Sequence, residues 1–216
     1  MTKRFFIIAA LLCAIATNSV MACGARAAAK LGLKSVVTIY ALQNGQKISS
    51  GSGIILNTEG LILTNQHVIE DGDAWITMLP DGRMAEVSII KSDEHVDLAV
   101  VKINANNIEG ALPPVLTPIT FATEQPEIGD YLVSIGNPFN TGMAVTGGIM
   151  SANTTVGDLT LIQHDGAVNH GNSGGALLNE HGELVGVNEA IYAPNDTFIG
   201  IAWAIPMNTV HKFLEK

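Results

Sequence analysis

After Lys30 the chain reads as a series of short apolar or alternating runs: "SVVTIYAL", "KISSGSGIIL", "LILTNQHVI", "AWITML", "AEVSIIK", "DLAVVKI", then "YLVSIGN", "AVTGGIMSA", "LTLIQH", "GALLN", "ELVGVNEAIY" and "FIGIAWAIP". Val, Ile, Thr and Tyr are concentrated in these runs, while Asn-Gly, Asp-Gly and His-Gly pairs punctuate them. That is the pattern of strands joined by tight turns, and this many strands at this spacing predict an all-β sandwich or barrel. The segment from Asn104 to Asp130 is richer in Pro and polar residues and splits the strands into two equal sets. The expectation is two six-stranded units, the first over about 34–104 and the second over about 120–206. Val210, Phe213 and Leu214 then recur at helical spacing behind Pro206, which predicts a short closing helix over 207–215.

The amino terminus differs in kind. "MTKRFFIIAALLCAIA" carries Lys3 and Arg4 ahead of an unbroken apolar run, and small residues follow, the layout of a signal peptide. The run is too short to span a bilayer comfortably, since about 20 apolar residues are needed. Two cleavage readings stand side by side: before Cys23, where "VMAC" resembles the bacterial lipoprotein box, and after Ala27, where "ARA" fits a small-residue site. The first makes residues 1–22 the leader and Cys23 a lipidated anchor to a membrane. The second extends the leader to 27 and implies simple secretion. Either reading places the mature domain, about 30–216, outside a bacterial cytoplasm, in the periplasm or on the cell envelope. Only one cysteine or none would then remain, so packing and not an internal disulfide must hold the domain together.

With 47% hydrophobic residues, the 216-residue chain can bury a sizeable core. Its formal charge of −9 argues against nucleic acid as a partner, because that recognition begins with a basic patch. A metal site is not expected either. The histidines lack an i, i+4 pair on a helix, there is no cysteine pair, and "EDGD" at Glu70 to Asp73 is too short for a calcium loop and reads as a hairpin turn. No cofactor is implied.

The stretch "NHGNSGGALL", Asn169 to Leu178, surrounds Ser173 with Gly171, Gly174 and Gly175, a composition unsuited to regular structure. A backbone bent sharply there can hold a hydroxyl outward and aim N–H groups at one point, as an oxyanion hole requires, although an ordinary tight turn fits the same residues. A nucleophilic serine needs a base and a group to orient it. Six histidines are available: His67 at the end of an apolar run, His95 in a polar patch, and His164, His170, His181 and His211 near turns or the final helix. Among the acids Asp97 fits best as the orienting group, because it directly precedes the apolar "LAVVKI", where an unpaired carboxylate is expensive.

"TNQHVI", "DLAVVKI", "SIGNPF" and "GNSGGAL", in that order from about Val36 to Pro206, resemble the protease domain of the HtrA (Deg) family of trypsin-like serine proteases. The resemblance implies a double β-barrel with its site between the halves: His67 as general base, Asp97 as its orienter and Ser173 as nucleophile. It implies that the N–H groups of Gly171 and Ser173 form the oxyanion hole. Ala167 would lie at the base of the pocket for the residue before the scissile bond, with Gly200 and Ile201 as another wall, giving a small apolar pocket for residues such as Val, Ala or Ile. The strand containing Val187 and Asn188 would pair with an extended substrate. The implied activity is endopeptidase cleavage of unfolded or extended polypeptides, and family relatives form homotrimers. Typical members continue into PDZ modules, whereas this sequence ends ten residues after Pro206, so a protease domain alone is expected. A silent binding module with the same fold and an esterase using the same triad are the competing classes.

Overall fold

The computed structural model describes residues 24–108, 114–191 and 199–216. A helix over 24–32, α1, precedes the first strand. Six strands follow: β1 (Val36–Gln43), β2 (Gln46–Ile55), β3 (Leu61–Thr64), β4 (Ala74–Met78), β5 (Met84–Asp93) and β6 (Leu98–Ile108). The second set is β7 (Tyr131–Gly136), β8 (Ala144–Val156), β9 (Leu159–His164), β10 (Ala176–Leu178), β11 (Leu184–Ile191) and β12 (Ala202–Pro206), and the helix α2 (Met207–Glu215) closes the chain. Each set forms a closed antiparallel barrel, in the orders β1-β2-β3-β6-β5-β4 and β10-β11-β12-β9-β8-β7.

Strand residues alternate between two faces, and in β1, β3, β7 and β10 both faces are almost entirely buried, which explains why these strands read as continuous apolar runs. Val37, Ile39, Ile62, Ala99 and Val101 fill the first barrel. Leu132, Ile162, Leu177, Val185 and Ala204 fill the second. The alternate residues Val36, Leu63, Leu98, Val100, Val133, Ile135, Leu178, Leu184 and Ile205 meet in a third cluster that draws on both barrels. One periodicity therefore builds the two interiors and the seam between them, and the functional residues lie along that seam.

The helices brace the seam. Ala28 of α1 joins the shared cluster, and Gly32 packs so closely on Ile135 and Leu178 that a Cβ would overlap both side chains. In α2, Met207, Val210 and Phe213 face the core. Lys91, from β5 of the first barrel, donates from Nζ to the carbonyl oxygens of Phe213 (2.6 Å) and Leu214 (3.2 Å), placing a cation at the helix C-terminus where the dipole favours it.

Three boundaries differ from the sequence expectation. The helix at 24–32 falls in a stretch read only for small residues and cleavage signals, and its burial comes from contacts with β7 and β10 that no local pattern announces. β6 runs to Ile108, beyond the expected end near 104, because Ala85 of β5 still pairs with Ile108. β12 begins only at Ala202. Residues 1–22 and Cys23 lie outside the described residues.

Candidate active site

His67 and Asp97 come from neighbouring strand ends of the first barrel, since β3 pairs with β6 and ends at Thr64 opposite Ala99. Nδ1 of His67 lies 2.8 Å from Asp97 Oδ2, and the backbone N–H of His67 donates to Oδ1 of the same carboxylate at 3.0 Å. Asp97 itself has φ of 51°, a left-handed conformation that Asp tolerates better than most residues. Asn65 fixes that turn by donating from Nδ2 to the Asp97 carbonyl at 2.9 Å. With Nδ1 engaged, Nε2 is the nitrogen left to take up a proton. Burial alone would lower the pKa of His67, but the hydrogen bond to Asp97 and the charges of Asp97, Glu189 and Glu70 outweigh it and raise the pKa above the ordinary value.

Ser173 arrives from the second barrel, on the turn between β9 and β10. First-barrel groups hold this turn. The N–H of Ser52 donates to the Ser173 carbonyl at 2.8 Å, and Ser52 Oγ donates to the Gly171 carbonyl at 2.7 Å while accepting the N–H of Asn137 at 3.0 Å. The glycines answer to this docking. Gly171 has φ of 97° and a Cβ there would strike the Asn137 carbonyl; Gly174 has φ of 79° and a Cβ there would strike Ser52 O and Thr64 Oγ1. The carbonyl of His170 is turned toward Phe139, accepting its N–H at 2.7 Å. Among the described residues neither the Gly171 N–H nor the Ser173 N–H has a hydrogen-bond partner. Both residues line a cleft of about 340 Å³, together with His67, Val68, Phe139 and His170. The Ser173 hydroxyl donates to the carbonyl oxygen of Glu189, 2.9 Å away.

The remaining expected site residues divide into two groups. Ala167 is half-buried, and its carbonyl accepts from Thr146 Oγ1 at 2.7 Å; Gly200, with φ of 88°, is exposed, and Ile201 is half-buried. Val187 and Asn188 are fully buried with their backbones committed: Val187 pairs with Ala176 and Ile205, and Asn188 bonds both Gly174 and Gly175. Asn188 Nδ2 also donates to Ser134 Oγ at 2.8 Å, so its side chain braces the barrel. The strand edge lies just beyond them, ahead of the first residue of β10, where among the described residues β11 is paired by β12 alone, through Ala190 and Ile191. Glu189, at the start of that edge, is the site residue that the sequence reading passed over. Its signal was an acid inside the apolar run "ELVGVNEAIY".

A groove of about 430 Å³ on the second barrel, lined by Asp130, Tyr131, Ile149, Glu180 and His181 among others, is larger, but no serine lines it. Among the described residues no three His, Cys, Asp or Glu side chains gather as metal ligands, and no helix is long and apolar enough to cross a membrane.

Two barrels with a serine turn docked on one and a His–Asp pair on the other define a trypsin-like serine peptidase domain. The chain belongs to that family: residues 51–187 match the model of the trypsin-like peptidase domain. It is 44% identical over 174 residues to the serine endoprotease DegS of Escherichia coli, covering 77% of this chain and 47% of that protein. It is 42% identical to a probable periplasmic serine protease do/HhoA-like of Haemophilus influenzae, over 77% of this chain and 36% of that one. Among solved structures, a serine endoprotease from Yersinia pestis superposes with a TM-score of 0.75 at 39% identity, covering 88% of this chain and 65% of that one. The chain spans about half the length of DegS and less of the other curated relative.

Proposed function

We propose that the chain is an exported serine endopeptidase that cleaves unfolded or extended polypeptides, with Ser173 as nucleophile, His67 as general base and Asp97 as the group that orients and charges that base. The observation that carries this reading is the two-point grip of Asp97 on His67, through Nδ1 and the backbone N–H, in a cleft shared with Ser173. Asp97 fixes the tautomer in which Nε2 accepts a proton, and its charge stabilises the imidazolium formed when Ser173 attacks a carbonyl. The unpartnered N–H groups of Gly171 and Ser173 suit the oxyanion that develops, and the His170 carbonyl is tied to Phe139. For attack the Ser173 hydroxyl must leave the Glu189 carbonyl for Nε2 of His67.

The free edge of β11 beyond Asn188 supports binding of the substrate as an added strand. Ala167 supplies no charge, which favours small aliphatic residues before the scissile bond over Lys or Arg. The leader pattern at 1–22 and relatives described as periplasmic support export to the periplasm. "VMAC" supports a lipid anchor on Cys23, and mass spectrometry of the mature amino terminus separates that anchor from cleavage after Ala27. The family resemblance supports a homotrimer.

Digestion of casein followed by sequencing of the product ends tests the activity and its preference together. Cleavage after Val, Ala or Ile supports the reading. Hydrolysis of small esters with casein left intact would make the chain an esterase, and no reaction with either would make it a silent module.

A further inference from the structure

Glu189 stands closer to the chemistry than an ordinary strand residue. Its carbonyl takes the Ser173 hydroxyl at 2.9 Å, so its backbone touches the nucleophile. Its side-chain oxygen Oε2 is sealed from solvent and, among the described residues, has no hydrogen-bond partner. Among the described residues the charged groups that act on this carboxyl are Asp97 and His67, and His67 in turn feels Asp97, Glu189 and Glu70. Two carboxyls, only one of them hydrogen-bonded to the imidazole, therefore share the environment of one base.

We propose that Glu189 is a positioning residue of the peptidase reaction: its buried side-chain carboxyl shares the surroundings of His67 with Asp97, and its negative charge adds to that of Asp97 in setting the basicity of His67. This rests on the reading of His67, Asp97 and Ser173 as the triad. A buried carboxylate without a donor is costly, and a second negative charge beside Asp97 makes it costlier, so Glu189 keeps its proton to a higher pH than an exposed glutamate. Burial contributes most to that rise and Asp97 adds to it, whereas His67 opposes it. The opposition is the functional part. Once His67 carries a proton, ionised Glu189 is favoured, and ionised Glu189 in turn strengthens His67 as a base. The groups titrate as a coupled set in which no one proton belongs to one residue.

Replacing Glu189 with Gln keeps the shape of the protonated acid and removes its capacity for charge. Measurements on the full chain comprise kcat/KM against pH on a peptide substrate for wild type, Glu189→Gln and Ser173→Ala, with the His67 ring titration followed by NMR in the first two. In Glu189→Gln the acid limb and the His67 titration should both move to lower pH, by roughly half a pH unit or more, the direction set by losing a negative neighbour. Superimposable profiles and superimposable His67 titrations, with Ser173→Ala silent throughout, would overturn the role of Glu189 and leave the triad standing. Persistent activity in Ser173→Ala would remove the triad and this inference together. Should Glu189→Gln not fold, carbon-13 NMR of glutamate carboxyls in the wild type still decides. One carboxyl titrating above the exposed glutamate range, with an inflection matching that of His67, supports the proposal. All of them titrating in that range would overturn it.

Discussion

The Ser173 hydroxyl donates to the carbonyl oxygen of Glu189 at 2.9 Å, while Nδ1 of His67 lies 2.8 Å from Asp97 Oδ2. The proposed base is thus held in the absence of substrate, and the hydroxyl of the proposed nucleophile rests on β11, the strand whose edge is uncovered among the described residues. An extended peptide laid along that edge would reach the group that currently holds the hydroxyl.

The base must be neutral to accept the proton, and Asp97 raises its pKa, so kcat/KM should fall with decreasing pH through a midpoint above about 6.5. Asp97→Asn removes the charge and favours the wrong tautomer, which should lower kcat by roughly 10⁴, the loss that follows the same change in a Ser-His-Asp triad. Asp93→Asn should leave the rate close to wild type. Steady-state rates of the two variants on one substrate check both the choice of acid and the midpoint.

Ser52 ties the serine turn to the first barrel through its side chain, donating to Gly171 O and accepting from Asn137 N–H. Ser52→Ala leaves two buried groups short of a partner, a cost of about 1–3 kcal/mol. Because Gly171 is a proposed oxyanion donor, kcat should drop more than KM rises. Denaturant unfolding together with the kinetic split measures both effects.

His164 lies at the end of β9, fully buried, with both ring nitrogens unpartnered among the described residues. Burial lowers its pKa to about 4 against a small opposing effect of Asp165. The unfolded chain takes up the proton near pH 6.5 and the folded chain near 4, so the stability held above pH 6.5 is lost progressively as pH falls. The loss approaches roughly 3 kcal/mol by pH 4. His164→Leu should flatten the dependence of Tm on pH across that range.

Several strands were legible in the sequence because both of their faces are buried, as in β1, β3, β7 and β10. Runs such as "DLAVVKI" could supply Leu98 and Val100 to the seam and Ala99 and Val101 to the barrel, so composition and turn residues located them. Asp97 was legible because an acid abutting such a run needs a partner, and Ser173 because only glycine suits the turn around it. What escaped depends on contacts across the fold. Val187 and Asn188 lie on β11, but whether the edge beyond them is covered depends on β10 beginning only at Ala176, opposite Val187. Glu189 escaped notice because nothing local in the sequence shows that its carboxyl is buried within the electrostatic reach of Asp97 and His67. The helix at 24–32 is held by Ile135 and Leu178, more than a hundred residues away in sequence.

The most direct test treats wild type and Ser173→Ala with a fluorophosphonate probe, maps any adduct by mass spectrometry, and assays the same preparations on casein. A single adduct on Ser173 is expected, with a loss of kcat of roughly 10⁶ in Ser173→Ala, the size of a removed triad nucleophile. An adduct on another residue, or casein cleavage by Ser173→Ala within about tenfold of wild type, well short of that loss, would contradict it.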